Sequence, residues 1–110
     1  MKTKAEPSMI QAGVYSSLIH YFKVLEAMGG NPHDGAKVVA KMKEMPTDDP
    51  LFGKGSIRAD GRKIHPAYLF QVKKPEESKG PWDYYKLIST TPGDQAFRPL
   101  SESECPLVHK

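Results

Sequence analysis

A long apolar segment between Ser8 and Gly29 is the feature that most constrains how this chain folds. Its apolar side chains recur at helical spacing in two rows rather than one. The first row is Ile10, Val14, Leu18, Tyr21, Leu25 and Met28, and the second is Tyr15, Ile19 and Phe22. This pattern predicts a helix over Met9–Met28 that is buried on more than one side. Ser8 is a good N-cap, and Gly29–Gly30 is typical of a helix C-terminus.

A second helix and a β-hairpin are predicted further along the chain. Gly35–Met45 has helical spacing and is followed by Pro46, so with the first helix it predicts a short αα-hairpin. Asp60–Gly61 indicates a two-residue hairpin turn, because both residue types tolerate a positive φ angle. The predicted hairpin arms are Gly55–Ala59 and Arg62–Val72, and Thr47–Lys54 is predicted to be a loop.

The remainder of the chain is predicted to hold one further strand. Lys73–Pro81 is charged and interrupted by Pro and Gly, which is typical of a linker. Tyr84–Thr90 is predicted to be the third strand, Asp94–Phe97 a single helical turn, and Arg98–Lys110 irregular. Taken alone, the chain is therefore expected to be an α+β fold with two helices, a β-hairpin, a connection and one further strand.

The charge distribution argues against a nucleic-acid-binding face. The net charge is +3 over 110 residues. Residues 1–55 carry 7 Lys or Arg and 6 Asp or Glu, and residues 56–110 carry 9 and 7. Because acidic and basic residues alternate, as in Lys73–Lys74 followed by Glu76–Glu77, a mixed solvated surface is favoured. A free-standing interaction or nucleic-acid-binding module stays open as an alternative.

No pattern of residues indicates catalysis, a metal site or a cofactor. The four histidines are His20, His33, His65 and His109, and they share no metal-ligand spacing. Gly53–Ser56 lacks the spacing and the following helix of a phosphate-binding loop. Asp48–Asp49 precedes a proline and is interpreted as a solvated loop pair. Cys105 is the single cysteine, so no internal disulfide can form. We expect no enzyme and no cofactor.

The sequence also predicts neither a membrane span nor an export signal from Met1 onwards. The apolar segment is interrupted by polar residues, so it falls short of the ~20 apolar residues of a membrane helix. The interrupting residues are Gln11, His20, Lys23 and Glu26. The same interruptions disqualify it as a signal-peptide core.

Three blocks of the sequence resemble one known family. They are Pro7–Ser16, then Gly55–Arg62 with Tyr68–Pro75, and finally Lys79–Leu100, which contains the only Trp. In this order and spacing they resemble the C-terminal third of periplasmic solute-binding proteins of ABC importers, similar to the Leu/Ile/Val-binding protein. The resemblance implies a parent protein with an α/β fold, in which two lobes joined by three crossover strands close on a small solute.

The resemblance also implies how the chain is divided. Residues 1–72 would end the first lobe, residues 73–81 would be a crossover and hinge, and residues 82–110 would return to the second lobe. The parent would be periplasmic and would deliver a branched-chain amino acid or related amide to permease subunits. A chain starting at Met1 without an export signal would then be a truncated gene, a misplaced start or a cut fragment.

Three residues are candidate ligand contacts under this resemblance. The start of the first helix borders the solute cleft in the family, so Ile10, Gln11 and Val14 would form an apolar and amide wall. Packing within the helix is the alternative for these positions. Because the family's ionic anchor for amino acids lies in the earlier two-thirds, we expect the isolated chain to bind no amino acid tightly. Its exposed strand edges are expected to allow homo-oligomers.

Overall fold

The computed structural model describes residues 6–106 and 108, so His109 and the first five residues lie outside the described part. Helix α1 spans Met9–Ala27 and helix α2 spans Gly35–Glu44. Both predicted helices are therefore confirmed to within one residue at each end. Asp34 caps α2 by accepting a hydrogen bond from the backbone N–H of Lys37 at 3.1 Å.

A small antiparallel sheet packs beside the two helices. Its strands are β1 (Thr47–Asp49), β2 (Gly53–Ile57) and β3 (Lys63–Ile64), in that order. The prediction of a loop over Thr47–Lys54 is wrong for β1 and for the first two residues of β2, because β1 pairs with β2 from Thr47 opposite Gly55 to Asp49 opposite Gly53. The three residues of β1 are all polar, so they show no alternation of apolar and polar side chains that would predict a strand. Pairing and burial, which decide strand formation more than intrinsic propensity does, form this strand.

The turn between β2 and β3 is longer than predicted. The N–H of Arg58 donates to the carbonyl of Arg62 at 2.9 Å, and the N–H of Gly61 donates to the carbonyl of Arg58 at 2.8 Å. The loop is therefore Ala59–Gly61, with Gly61 at a φ angle of 82°. This is a three-residue hairpin loop closed by a left-handed glycine, in place of the predicted two-residue turn.

The second predicted hairpin arm, Arg62–Val72, pairs with the first arm only at Lys63–Ile64, and its later part pairs elsewhere. Strand β4 (Ala67–Val72) pairs antiparallel with β5 (Tyr85–Thr91), in a sheet separate from β1–β3. The segment Lys73–Pro81 therefore lies between two strands that pair with each other. An ion pair joins the two ends of this connection, in which Lys73 Nζ lies 2.6 Å from Asp83 Oδ1. The strand predicted over Tyr84–Thr90 is confirmed with both ends shifted by one residue.

The C-terminal segment returns to the first sheet. A short helix, α3 (Gly93–Ala96), is the predicted helical turn displaced by one residue. Phe97 then packs edge-to-face on His65, with ring centroids 5.4 Å apart, and the Arg98 carbonyl accepts a hydrogen bond from Arg58 at 2.8 Å. The part of the predicted irregular tail that is described contains a 3-10 turn at Leu100–Glu102.

Candidate functional site

The N-terminal end of α1 carries the three predicted contact residues. Ser8 and Gln11 form a capping box, in which Gln11 Oε1 accepts from the Ser8 N–H at 2.8 Å. In return, the Ser8 hydroxyl oxygen accepts from the Gln11 N–H at 3.3 Å. The box satisfies backbone donors that the first helical turn leaves free. The amide oxygen of Gln11 is thus occupied, and its NH₂ group is the part left to meet a ligand.

Ile10 and Val14 lie on the outward side of α1. They are 74% and 55% exposed, while Ser16, His20 and Val24 form the buried side of the same helix. An open hollow of about 390 Å³ adjoins the helix start. It is lined by Pro7, Gln11, Ala12, Tyr15, Pro50 and Leu51. The structure brings Gln11 to this hollow and leaves the other two predicted residues outside it, so all three contacts stay predictions.

A buried ionic network fixes α1 against the small sheet. Asp49 Oδ2 accepts from the Ser16 hydroxyl at 2.6 Å and from Lys63 Nζ at 2.9 Å. Asp49 Oδ1 accepts from the N–H groups of Leu51 and Phe52, each at 2.9 Å. Lys63 also donates to Ser16 and lies over the Phe52 ring, 4.8 Å from its centroid. The interpretation of Asp49 as a solvated loop residue is wrong, because it is only 6% exposed.

This environment sets the pKa of Asp49. Burial by itself would raise that pKa, but hydrogen bonds from Ser16, Lys63 and two backbone N–H groups together lower the pKa of Asp49 well below its usual range. The carboxylate is therefore charged at neutral pH. The Ser16 hydroxyl donates a hydrogen bond to this carboxylate, and Ser16 is 3% exposed. A buried hydroxyl held in this way is placed for structure rather than for nucleophilic attack.

A second hollow of about 580 Å³ lies on the other side of the N-terminal half of α1. His65 forms part of its wall, with its ring 4.7 Å from that of Phe52 and 5.4 Å from that of Phe97. The Arg62 guanidinium lies 5.6 Å from the Phe97 centroid. Lys63 is neutralised by Asp49, so Arg62 is the basic group in this wall that lacks a carboxylate partner among residues 6–106 and 108.

The histidines and acidic residues of the described part form neither a catalytic group nor a metal site. His20 is buried, and its Nε2 lies 2.8 Å from the Met42 carbonyl, which accepts from the Nε2–H tautomer. No group of three or more His, Cys, Asp or Glu within residues 6–106 and 108 is arranged to hold a metal ion. In that same part of the chain, no helix is long and apolar enough to cross a membrane.

The spacing of residues in the sequence weakly indicates the capping box and the buried face of β1, neither of which was predicted. Ser8 and Gln11 stand three residues apart, which is the spacing of a capping box. Thr47 and Asp49 are two residues apart, so on a strand both would point to one face. Both are buried in the structure. The Lys63 partner, 14 residues after Asp49, follows only once the β1–β2–β3 sheet is known.

Comparison with known proteins assigns the chain to a family. The sequence model described as "Periplasmic binding protein" matches residues 1–81. The chain belongs to the periplasmic binding protein family. A periplasmic binding protein from Burkholderia mallei is 50% identical, with a TM-score of 0.86. A branched chain amino acid ABC transporter periplasmic ligand-binding protein from Burkholderia xenovorans LB400 is 42% identical, also with a TM-score of 0.86.

The two solved structures are much longer than this chain. Each comparison covers 96% of this chain and 28% of the other. No curated protein matches. The resemblance inferred from the three sequence blocks is thus confirmed, and the fold is that of a segment of a periplasmic binding protein. This family is one of solute-binding proteins, a non-enzymatic class.

Proposed function

We propose that this chain is a segment of the solute-binding component of an ABC importer for branched-chain amino acids or related amides. The observation that carries the proposal is the 42% identity to the Burkholderia xenovorans LB400 protein across 96% of this chain. The parent protein would bind its solute in the periplasm and deliver it to permease subunits without chemical change. A free-standing interaction or nucleic-acid-binding role has no support from these comparisons.

Within this function, the start of α1 would line the solute cleft. Ile10 and Val14 offer apolar surface that the described residues leave bare, and Gln11 offers a free NH₂ group beside them. Such a wall suits an aliphatic side chain and a neutral amide better than a charged group. The ionic contacts to an amino acid would come from parts of the parent protein that lie outside this chain.

The division of the chain between two lobes also remains a proposal. Helices α1 and α2 pack with β1–β3, whereas β4 and β5 form a sheet of their own. This pairing supports a change of lobe near His65–Pro66, ahead of the boundary at residue 72 that the sequence predicts. Segment 73–81 would then be a loop within the second lobe rather than the crossover.

A joined protein tests the function directly. In it, this chain replaces the segment that it matches in the Burkholderia xenovorans LB400 protein, with a specific protease site at each junction. Thermal unfolding is recorded with leucine, isoleucine, valine and aliphatic amides. A ligand at one hundred times its Kd stabilises the folded protein by about 2.7 kcal/mol. A folded joined protein that no member of this panel stabilises would refute the proposed solute class.

Variants of the joined protein test the contact residues separately. Ile10→Glu puts a charge into the proposed apolar wall, so we expect it to remove most of the ligand-induced stabilisation. Ala36→Glu adds the same charge at an exposed position of α2 and serves as the matched control. Equal ligand responses from the two variants would leave the solute class intact and remove Ile10 from the site.

A further inference from the structure

The hollow of about 580 Å³ beside α1 carries an unbalanced positive charge. Three charged side chains line it, namely Asp60, Arg62 and Lys63. Asp60 is held by Arg58, whose Nε and Nη2 donate to its two carboxylate oxygens at 2.9 and 2.6 Å. Lys63 is paired with Asp49 in the same way. The Arg62 guanidinium therefore adds one positive charge that no carboxylate in the described part of the chain balances.

The acidic residues of the neighbouring C-terminal turn do not line this hollow. Glu102 and Glu104 pair with Arg98 at 3.4 and 3.3 Å, and both are exposed, so salt screens their charge. Ser103, which lies between them in sequence, does line the hollow. Its hydroxyl oxygen accepts from the Cys105 N–H at 3.3 Å, which leaves its hydroxyl proton available to an anionic ligand.

Aromatic rings form the apolar part of the same hollow. His65 lies between Phe52 and Phe97, with ring centroids 4.7 and 5.4 Å away, and all three residues are half-buried. The N–H of Phe52 donates to Asp49 at 2.9 Å, so this wall is fixed before any ligand arrives. The Arg62 guanidinium lies 5.6 Å from the Phe97 centroid. A guanidinium over a ring can still donate hydrogen bonds in its own plane.

We propose that this hollow is a second binding site, separate from the solute contacts at the start of α1, and that it binds a small aromatic monocarboxylate. Two N–H groups of Arg62 would bind the carboxylate, which fits the planar fork of arginine. The rings of Phe52 and Phe97 would contact the ring of the ligand. The hollow shares no lining residue with the one beside Gln11. The inference does not rest on the proposed solute class.

The same features disfavour other classes of ligand. A phosphate carries more charge than the single unbalanced guanidinium of this wall can match. An amino acid would bring an ammonium group, and Asp60, the carboxylate in this wall, is already occupied by Arg58. A neutral amide would leave the charge of Arg62 without a partner. A monoanion with a planar apolar body satisfies both the guanidinium and the aromatic rings.

Titration calorimetry of the joined protein with benzoate tests the proposal, with benzamide as the matched neutral compound. We expect saturable binding of benzoate. Benzamide should bind about tenfold to a hundredfold more weakly, because it forms no hydrogen bonds between two charged groups. Inorganic phosphate should also bind more weakly, since it has no ring to contact the aromatic wall. A folded joined protein that binds no benzoate, or binds benzamide or phosphate equally well, would overturn the proposal.

Matched variants show whether Arg62 holds the carboxylate. Arg62→Gln is expected to weaken benzoate binding about tenfold to a hundredfold. Lys37→Gln removes the same charge from an exposed pair on α2 and should change the dissociation constant less than twofold. Circular dichroism checks that both variants are folded. Arg62→Lys is the second variant, and it should retain part of the affinity because it keeps the charge and loses the fork. Equal losses from Arg62→Gln and Lys37→Gln would overturn the assignment.

Competition separates this site from the solute cleft. The joined protein is saturated with whichever member of the amino-acid and amide panel it binds, and benzoate is then titrated. The dissociation constant of benzoate should change less than twofold. Competitive displacement would assign benzoate to the solute cleft and overturn the second site. A joined protein that binds benzoate but no member of the panel would refute the proposed solute class and leave this site standing.

Discussion

Replacing Asp49 by Asn should destabilise the chain far more than its small change in size suggests. The carboxylate accepts four hydrogen bonds, two from side chains and two from backbone N–H groups. An asparagine oxygen keeps the backbone donors of Leu51 and Phe52. Its NH₂ group, however, faces Lys63 and Ser16, so a donor meets donors and the ammonium loses its partner.

The size of the effect follows from burial. The Asp49 side chain is 2% exposed and that of Lys63 is 24% exposed. Breaking a buried pair by removing one partner costs about 3–5 kcal/mol. We expect Asp49→Asn at about 3 kcal/mol, because two of its four bonds survive. With an m value of about 1–3 kcal/mol/M, the midpoint of urea unfolding falls by about 1–3 M.

The assay is urea unfolding followed by circular dichroism at the helix band. Asp34→Asn is the control, because it removes an equal charge from the exposed Lys37 pair and keeps a good N-cap. That change should stay below about 1 kcal/mol. Adding Lys63→Met to Asp49→Asn should recover part of the lost free energy of unfolding, because it removes the Lys63 charge that Asp49→Asn leaves without a partner. Equal midpoint shifts for Asp49→Asn and Asp34→Asn would refute the buried network.

Three further predictions concern pH, a glycine and association. The pKa values of Asp49 and Asp60 are both lowered from 3.8, and that of Asp60 falls to about 2, chiefly because of its Arg58 hydrogen bond. Each ionised carboxylate therefore stabilises the folded chain fully above pH 3.8, the value in the unfolded chain. This stabilisation is lost as the pH falls towards the pKa of the folded chain. A urea midpoint unchanged between pH 7 and pH 3 would contradict this. Gly55→Ala should cost about 1–3 kcal/mol in urea unfolding, because its Cβ would collide with the Ile64 carbonyl and lie 2.9 Å from Thr47 Oγ1. Gly13→Ala has open space in α1 and should instead stabilise by up to about 1 kcal/mol, so similar results for the two would be inconsistent with this packing. The isolated chain should self-associate through the exposed apolar residues of α1 and of hairpin β4–β5, and light scattering that shows a stable monomer at high concentration would count against it.

Local signals predicted the helices well. Apolar periodicity, Ser8 and the glycine pair after α1 act within a few residues, so the bounds of α1 and α2 agree closely with the sequence. The prediction that this first helix is buried on more than one side is wrong for the described residues, because Val14, Leu18 and Phe22 on its outer side are about half exposed. The aromatic segment from Trp82 is likewise about half exposed, and its Tyr85 begins strand β5 of the exposed hairpin.

Non-local pairing could not be predicted from the same sequence. Strand β4 follows the Asp60–Gly61 turn closely, so local reasoning pairs it with β2, yet it pairs with β5 beyond a connection of a dozen residues. The burial of Asp49 depends on Lys63 from another strand and Ser16 from a helix. At the candidate site, Ser8 and Gln11 are close in sequence, so their capping box could have been predicted. The proposed solute contacts of Ile10 and Val14 would involve parts of the parent protein outside this chain, so the sequence of this chain alone does not test them.

Calorimetric titration of leucine, isoleucine, valine and aliphatic amides into the joined protein and into the isolated chain, side by side, tests the central claim most directly. The claim is that this chain contributes to a solute-binding protein and completes its binding site only together with the remainder of the fold. We predict saturable binding by the joined protein and none by the isolated chain. Micromolar binding by the isolated chain, or no binding by a folded joined protein, would contradict the claim.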